Sequence, residues 1–277
     1  MKHEIGSMQG RLLKPLDQKI QSFPIGNWEV EFPMLREIGY DSIELTIDFK
    51  SWIIHPLNSE DGRSGLQKLA AENNIKLRGI CSDIFMEYPL VGNIDEQQKI
   101  YASQMLVKLI EGSAEVGLGF IELPLVGANT IRGEDSNIQF RRILDWAIPL
   151  AEKNNIDLLL ETDLPPTELI NFLRLFNSEN LGVNYDTGNS TWFGFDPIEE
   201  IKTYHSYIKN IHIKDCTIKD YSVPLGTGST DFAGIFTCLA EYDYAGNFIL
   251  QAARQEDDVQ AAKSYLNFTR DLISKYL

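Results

Sequence analysis

The stretch IKNIHIKD (residues 208–215) alternates β-branched and polar residues and predicts a buried strand. Successive side chains of a strand point to opposite faces. We therefore expect Ile211 and Ile213 to face a helix layer, and His212 and Lys214 to face the other side. Seven similar runs precede or follow it: HEIGSM (from residue 3), SIELTI (42), IKLRGIC (75), FIELPLV (120), IDLLLET (156), LGVNYD (181) and NFILQ (247).

A helical pattern follows each of these runs, which predicts a parallel α/β sheet. Eight repeats favour closure into a (β/α)8 TIM barrel, with a doubly wound open sheet as the alternative. No Pro/Gly/Ser-rich linker divides the chain, so we predict a single domain over residues 1–277. The segments YDTGNSTWFG (185–194) and CTIKDYSVPLGTGS (216–229) are predicted to be long loops on the face that carries active sites in barrels.

Polar residues end four successive strands of the predicted barrel. The same alternation turns Glu161, Asp186, His212 and Gln251 inward at the ends of strands five to eight. Two carboxylates, an imidazole and an amide oxygen suit Mn²⁺, Mg²⁺, Co²⁺ or Zn²⁺. The sequence therefore predicts one divalent metal ion bound by these four residues.

The charge of the chain restricts its partners. Forty acidic against 25 basic residues give a formal net charge of -15, which opposes binding to nucleic acid and to anionic lipid. No run approaches the length of a membrane span or a signal peptide. Three cysteines without CxxC spacing argue against a disulfide scaffold or a thiolate zinc site, so we expect a cytoplasmic protein.

These residues carry a resemblance to a known family. LLLET, VNYDTGN, IHIKD, PLGTGSTDF and YAGNFILQ resemble, in order, strands five to eight of the xylose-isomerase-like TIM-barrel superfamily of sugar and sugar phosphate isomerases and epimerases. The resemblance implies the same four metal ligands and a proton transfer beside a carbonyl group through a metal-stabilised enediolate. It also implies a sugar or sugar phosphate substrate, and a homo-oligomer as a possible assembly.

Two positions depart from the family pattern. Asn189 stands where relatives commonly have His, and Gln251 stands where they commonly have Glu. An amide oxygen can bind a hard cation but cannot accept a proton as a carboxylate does. A symmetrical reaction with two glutamates is therefore not expected.

Candidate acid/base groups follow from the same reasoning. We predict Glu161 and Lys214 as the catalytic residues. Glu44 on strand two, Asp83 after strand three and Asp215 beside Lys214 are further candidates for the second acid or base.

The predicted substrate contacts are Glu44, Arg11, Asn189, Asp215, Gly226, Gly228 and Arg254. The two glycines and Arg254 lie in the loops after strands seven and eight, where TIM barrels often bind phosphate. Arg11 follows strand one and is a second candidate anion contact.

Three other functions compete with an isomerase or epimerase. A dehydratase of a polyol or keto-sugar would use the same metal and one base. A non-catalytic sugar-binding barrel would explain Gln251 and Asn189 as lost catalytic groups. The endonuclease branch of the superfamily has further histidines from strands two to four, and this chain has only His55 there besides His3, which disfavours that branch.

Overall fold

A computed structural model describes residues 3–15 and 19–277 of the chain. Eight parallel strands follow one another in sequence order around a closed barrel. Their bounds are β1 Ile5–Met8, β2 Ser42–Thr46, β3 Lys76–Cys81, β4 Phe120–Leu125, β5 Asp157–Thr162, β6 Leu181–Asp186, β7 Ile208–Ile213 and β8 Asn247–Leu250.

The barrel closes between the first and the last strand. Ile5 pairs with Phe248 of β8, and Gly6 pairs with both Ser42 of β2 and Ile249 of β8. The predicted (β/α)8 barrel is confirmed, and the open-sheet alternative is wrong because β1 has a strand partner on each side.

Ten α-helices are found among the described residues, and the longer ones lie where the sequence predicts them. Their bounds are α1 Glu31–Ile38, α2 Glu60–Asn73, α3 Ile84–Glu87, α4 Glu96–Val116, α5 Glu134–Asn154, α6 Pro166–Leu173, α7 Thr187–Phe193, α8 Pro197–Tyr204, α9 Phe232–Glu241 and α10 Asp258–Tyr276.

Helix α7 corrects one prediction, because YDTGNSTWFG is not a plain loop. The Asp186 side chain accepts the N–H groups of Gly188 and Asn189, which fixes the first turn of the helix. Gly194 ends α7 with a left-handed φ of 74°, a conformation that glycine adopts without strain. The cap places Asn189 against the end of β5.

The apolar core lies between the barrel and its helices. Outward-facing residues such as Ile43, Leu45, Ile211 and Phe248 have no exposed surface, and burying each one stabilises the fold by about 1.5–3 kcal/mol. Inside the barrel, a separate small apolar group contains Met8, Cys81 and Ile249. Buried polar residues, among them Glu44, Glu122 and His212, also lie inside the barrel.

A membrane span is not found among the helices of residues 3–15 and 19–277, since none is long and apolar enough to cross a bilayer.

Candidate active site

Three predicted metal ligands meet inside the barrel at the carboxyl ends of their strands. Glu161 is next to last in β5, Asp186 ends β6, and His212 pairs with Asp186 across β6 and β7. One ligand atom from each lies within 4.8 Å of the others, and all three side chains are buried. We call Glu161, Asp186 and His212 the outer cluster.

Asp186 has one fixed oxygen and one open oxygen. Its Oδ1 accepts the N–H groups of Gly188 and Asn189, each at 2.8 Å. Its buried Oδ2 has no hydrogen-bond partner, and the Nζ of Lys214 lies 3.8 Å away. Burial raises the pKa of Asp186 although the positive charge of Lys214 opposes that shift. A cation would give Oδ2 the partner it lacks.

Glu161 is held by two amide side chains. Asn184 donates to Oε2 at 2.7 Å, and Asn189 donates to Oε1 at 2.6 Å. Burial alone would raise the pKa of Glu161, but His212 and Lys214 outweigh it and hold that pKa below its usual value. The lowered pKa favours the carboxylate form of Glu161. Its Oε1 keeps a further lone pair for a metal or a substrate, and its Oε2 also faces Nδ1 of His212.

A glutamate side chain lies at each nitrogen of the His212 ring. Its Nε2 lies 3.0 Å from Oε2 of Glu44, and its Nδ1 lies 3.3 Å from Oε2 of Glu161. This arrangement turns Nδ1 toward the outer cluster while Glu44 fixes the opposite edge of the ring. Glu44, predicted from the sequence as a substrate contact, is completely buried beneath His212 and acts on the site through that imidazole.

Lys214 follows β7 and reaches over the outer cluster. Its Nζ donates to Oδ1 of Asn189 at 2.9 Å and lies 3.5 Å from the centre of the Tyr221 ring. The Tyr221 hydroxyl donates to the same oxygen of Asn189. Burial lowers the pKa of Lys214, and the charges of Asp186 and Glu161 oppose that shift. Asn189 thus links Lys214 to Glu161.

A chain of hydrogen bonds fixes the orientation of the Gln251 amide. Arg11 can only donate, and its Nη2 donates to Oε1 of Gln21 at 2.8 Å. The Nε2 of Gln21 then donates to Asp83 at 2.8 Å. Gln251 donates its own Nε2 to Oε1 of Gln21 at 3.0 Å, so its Oε1 is left free of that contact. The amide at the end of β8 therefore offers oxygen, the atom that binds a cation.

A cavity of about 170 Å³ opens over these groups. Its polar lining includes Arg11, Gln21, Asp83, Glu161, Lys214 and Gln251. Burial raises the pKa of Asp83 to about 6, against the hydrogen bond from Gln21. Arg11 has an unpartnered buried Nε, and burial lowers its pKa to about 10. The cavity therefore brings together two cationic side chains and two carboxylates.

The predicted phosphate loop has its amides occupied by its own aspartate. Oδ2 of Asp215 accepts the N–H groups of Gly226 and Gly228 at 2.9 Å each, and Oδ1 accepts that of Thr230 at 3.2 Å. A side chain at position 228 would place its Cβ 2.2 Å from Asp215, so this close approach requires glycine. Asp215 shapes the loop and leaves these amides no free donor.

Arg254 is likewise engaged inside the chain. It donates to the main-chain oxygens of Gly10, Leu13 and Ile20, and it pairs with Asp258 at 2.8 Å. These bonds hold Gly10, Leu13 and Ile20, which lie next to Arg11 and Gln21 in the sequence. Arg254 therefore supports the cavity wall from behind.

Sequence reasoning did not identify Gln21, Asn184 and Tyr221 as site residues. Asn184 shares the inward parity of Asp186, and that signal could have found it. Gln21 and Tyr221 lie in irregular segments where no periodicity points to their neighbours.

The model of the xylose isomerase-like TIM barrel family matches residues 32–272 of this chain. The chain belongs to this family. It is 22% identical over 258 residues to the L-ribulose-5-phosphate 3-epimerase UlaE of Salmonella heidelberg (strain SL476), with 90% of each chain covered.

Solved structures share the fold at low sequence identity. D-psicose 3-epimerase from Clostridium cellulolyticum H10, determined with D-tagatose, superposes with a TM-score of 0.78 at 16% identity, covering 98% of this chain and 99% of the other. The IOLI protein, determined with a bound zinc atom, gives 0.77 at 18% identity over 99% of both chains.

Proposed function

We propose that this chain is a divalent-metal-dependent isomerase or epimerase of a sugar or sugar phosphate. The observation that carries the proposal is the outer cluster, an ionised glutamate, an aspartate with an unpartnered oxygen and an oriented imidazole. The relatives named as sugar epimerases support the choice of substrate class. The reaction would move a proton on the carbon beside a carbonyl group.

The outer cluster fits Mn²⁺, Mg²⁺, Co²⁺ or Zn²⁺ in its donor chemistry. Glu161, Asp186 and His212 would hold the ion, and the oxygen of Gln251, which its hydrogen bond to Gln21 leaves free, would be the fourth protein ligand. When bound, such an ion polarises the carbonyl group of a substrate and offsets the negative charge that develops on its oxygen.

Glu161 is the proposed base. It is ionised, its position is fixed by Asn184 and Asn189, and it lines the cavity. A base held in this way needs no rearrangement before it removes a proton from a substrate carbon.

Lys214 is the proposed second acid/base group, since Gln251 cannot carry a proton. Its ammonium group lines the same cavity and is held by Asn189. An aldose–ketose isomerisation on one face of the substrate needs only Glu161, whereas an epimerisation also needs a proton donor such as Lys214. The presence of Gln251 therefore favours Glu161 and Lys214 as the acid/base pair over a pair of two glutamates.

Arg11 is the proposed anion contact for a phosphorylated substrate. It lines the cavity, and its Nε is unpartnered although its Nη1 and Nη2 donate to Ala252 and Gln21. Arg254 and the amides of Gly226 and Gly228 instead have partners within the chain. Free ketoses and ketose phosphates should therefore both be tested.

The experiment is solvent exchange in D₂O. Metal-loaded protein is incubated with ketoses and ketose phosphates, and loss of carbon-bound hydrogen beside the carbonyl is followed by proton NMR, with Glu161→Gln as control. We expect deuterium incorporation and product in the wild type alone. Water release would redirect the assignment to a dehydratase, and binding without exchange would indicate a non-catalytic sugar-binding barrel.

A further inference from the structure

A second group of metal-ligating side chains lies deeper in the barrel, on its first half. Glu44 of β2, Cys81 of β3 and Glu122 of β4 each place one ligand atom within 4.8 Å of the others. Their exposed fractions are 0%, 2% and 1%. We call these three residues the inner cluster.

The inner cluster contains acceptors that have no donor. Both oxygens of Glu122 and Oε1 of Glu44 lack any hydrogen-bond partner, although they are fully enclosed. Oδ1 of Asn210 is also unpartnered, and the amide of the same residue donates to Oε2 of Glu44 at 3.2 Å. Enclosed carboxylate oxygens without a hydrogen-bond donor are strongly unfavourable in their charged form, so this arrangement suits a bound cation.

Apart from the thiol of Cys81, which contacts Glu122 and belongs to the cluster, the neighbouring donors do not satisfy these oxygens. His212 and Asn210 both bond to Oε2 of Glu44 and leave Oε1 open. Over residues 3–15 and 19–277, no lysine or arginine forms an ion pair with Glu44 or Glu122. A divalent cation would supply both the positive charge and the missing contacts.

We propose that the inner cluster is a second divalent-cation site, formed by Glu44, Cys81 and Glu122 and distinct from the outer cluster. Its sulfur ligand selects Zn²⁺ or Co²⁺ over Mg²⁺. Binding forms a metal–sulfur bond and releases the proton of the Cys81 thiol to solvent.

Glu44 connects the two clusters, and the cavity leads toward Cys81. Glu44 holds the Nε2 of His212 with one oxygen and faces the inner cluster with the other. The sulfur of Cys81 lies 3.3 Å from Nε2 of Gln21 and 3.5 Å from Oδ1 of Asp83, and both of those residues line the cavity. An ion entering from the cavity thus meets Cys81 first.

Cobalt distinguishes the two sites because the outer cluster has no sulfur. The metal-free full-length protein is titrated with Co²⁺, and thiolate-to-cobalt charge transfer is followed by near-ultraviolet absorption. We expect the band to report about one bound Co²⁺ per chain out of about two, because only the inner cluster contains a sulfur ligand. The band should be absent in Cys81→Ser and strongly reduced in Glu122→Gln.

Matched variants keep the result interpretable. Cys238→Ser and Cys216→Ser remove the other two buried thiols and should retain the band. Asp186→Ala should lose the outer ion and retain the band, so the inner site can be established even where the proposed enzymatic function fails. Circular dichroism checks that each variant is folded.

The proposal is overturned if the folded wild type binds Co²⁺ without a thiolate band, because a water molecule or a shared proton would then occupy the inner cluster. It is also overturned if the band survives in Cys81→Ser.

Discussion

The outer and inner clusters contain similar residues but differ in how the fold satisfies them. Glu161 receives an amide donor on each oxygen, and Asp186 receives two main-chain donors on one oxygen. Glu122 receives none. The second half of the barrel thus orients its carboxylates with amide and main-chain donors and leaves one oxygen of Asp186 unpartnered, whereas the first half encloses a glutamate with no partner on either oxygen.

That difference indicates which carboxylates can react with a substrate. A carboxylate held by amides near a cavity can exchange protons with a substrate, and an enclosed one cannot. The inner cluster can therefore bind a cation but has no access to a sugar, and the changes below separate the two behaviours.

Glu161→Gln should have the largest effect. Removing the proposed base should lower kcat by about 10²–10⁴-fold, the usual contribution of general acid–base catalysis. The NMR exchange assay measures this loss. Glu122→Gln is the matched change in the inner cluster, and an equal loss of exchange there would break the contrast between the two.

The buried carboxyl of Glu31 provides a case between the two clusters. It accepts the main-chain N–H groups of Gly10 and Leu12, and burial nevertheless raises its pKa to about 7 from 4.5. The folded state therefore binds this proton more tightly than the unfolded state does. The stability that Glu31 contributes is greatest below its unfolded pKa and falls as the pH rises toward 7.

Denaturant unfolding of the wild type and of Glu31→Gln measures this dependence. The difference between their free energies of unfolding should change by up to about 3 kcal/mol between pH 4.5 and 7, at 1.36 kcal/mol per pKa unit. The comparison subtracts other titrating groups. A constant difference across that range would show that the two backbone donors fully offset the burial of Glu31.

Gln21 and Gln251 should be coupled in metal binding. Replacing Gln21 with Ala frees the Gln251 amide to rotate, and we expect metal affinity to fall about tenfold, as for outer contacts of metal ligands. Isothermal titration with Mn²⁺ measures it. In a Gln251→Glu background the Gln21 change should have little effect, because both carboxylate oxygens can bind. Equal losses in both backgrounds would contradict the orientation argument.

The smallest expected effects are on stability, with one variant in each cluster. In metal-free protein, Glu122→Gln should raise the free energy of unfolding by about 1 kcal/mol, since an enclosed acceptor becomes an amide that can donate to Glu44. Asp186→Ala should lower it by about 1 kcal/mol through loss of the α7 cap. Thermal and denaturant unfolding without metal test these opposite signs.

The sequence predicted the outer cluster because its residues satisfy two conditions. They share inward parity, and they lie at strand ends, where a barrel opens. Glu122 lies between the outward-facing Ile121 and Leu123 and therefore has inward parity. It lies in the middle of β4, so the strand-end condition did not select it.

The remaining differences arise from contacts that parity cannot describe. Arg254 follows β8 as a phosphate-binding cation would, yet four internal acceptors engage it. Gln21 orients Gln251 from 230 residues away, through a loop without periodicity. Helix α7 depends on a side-chain cap that also belongs to the outer cluster.

The most direct test of the outer cluster is the metal content of the purified protein, measured by inductively coupled plasma mass spectrometry in the wild type and in Asp186→Ala/His212→Ala after loading with Mn²⁺, Co²⁺ or Zn²⁺. We predict that the double variant loses one equivalent of divalent metal per chain and all solvent exchange activity. Equal metal content in the two proteins would contradict a metal-dependent site at Glu161, Asp186 and His212.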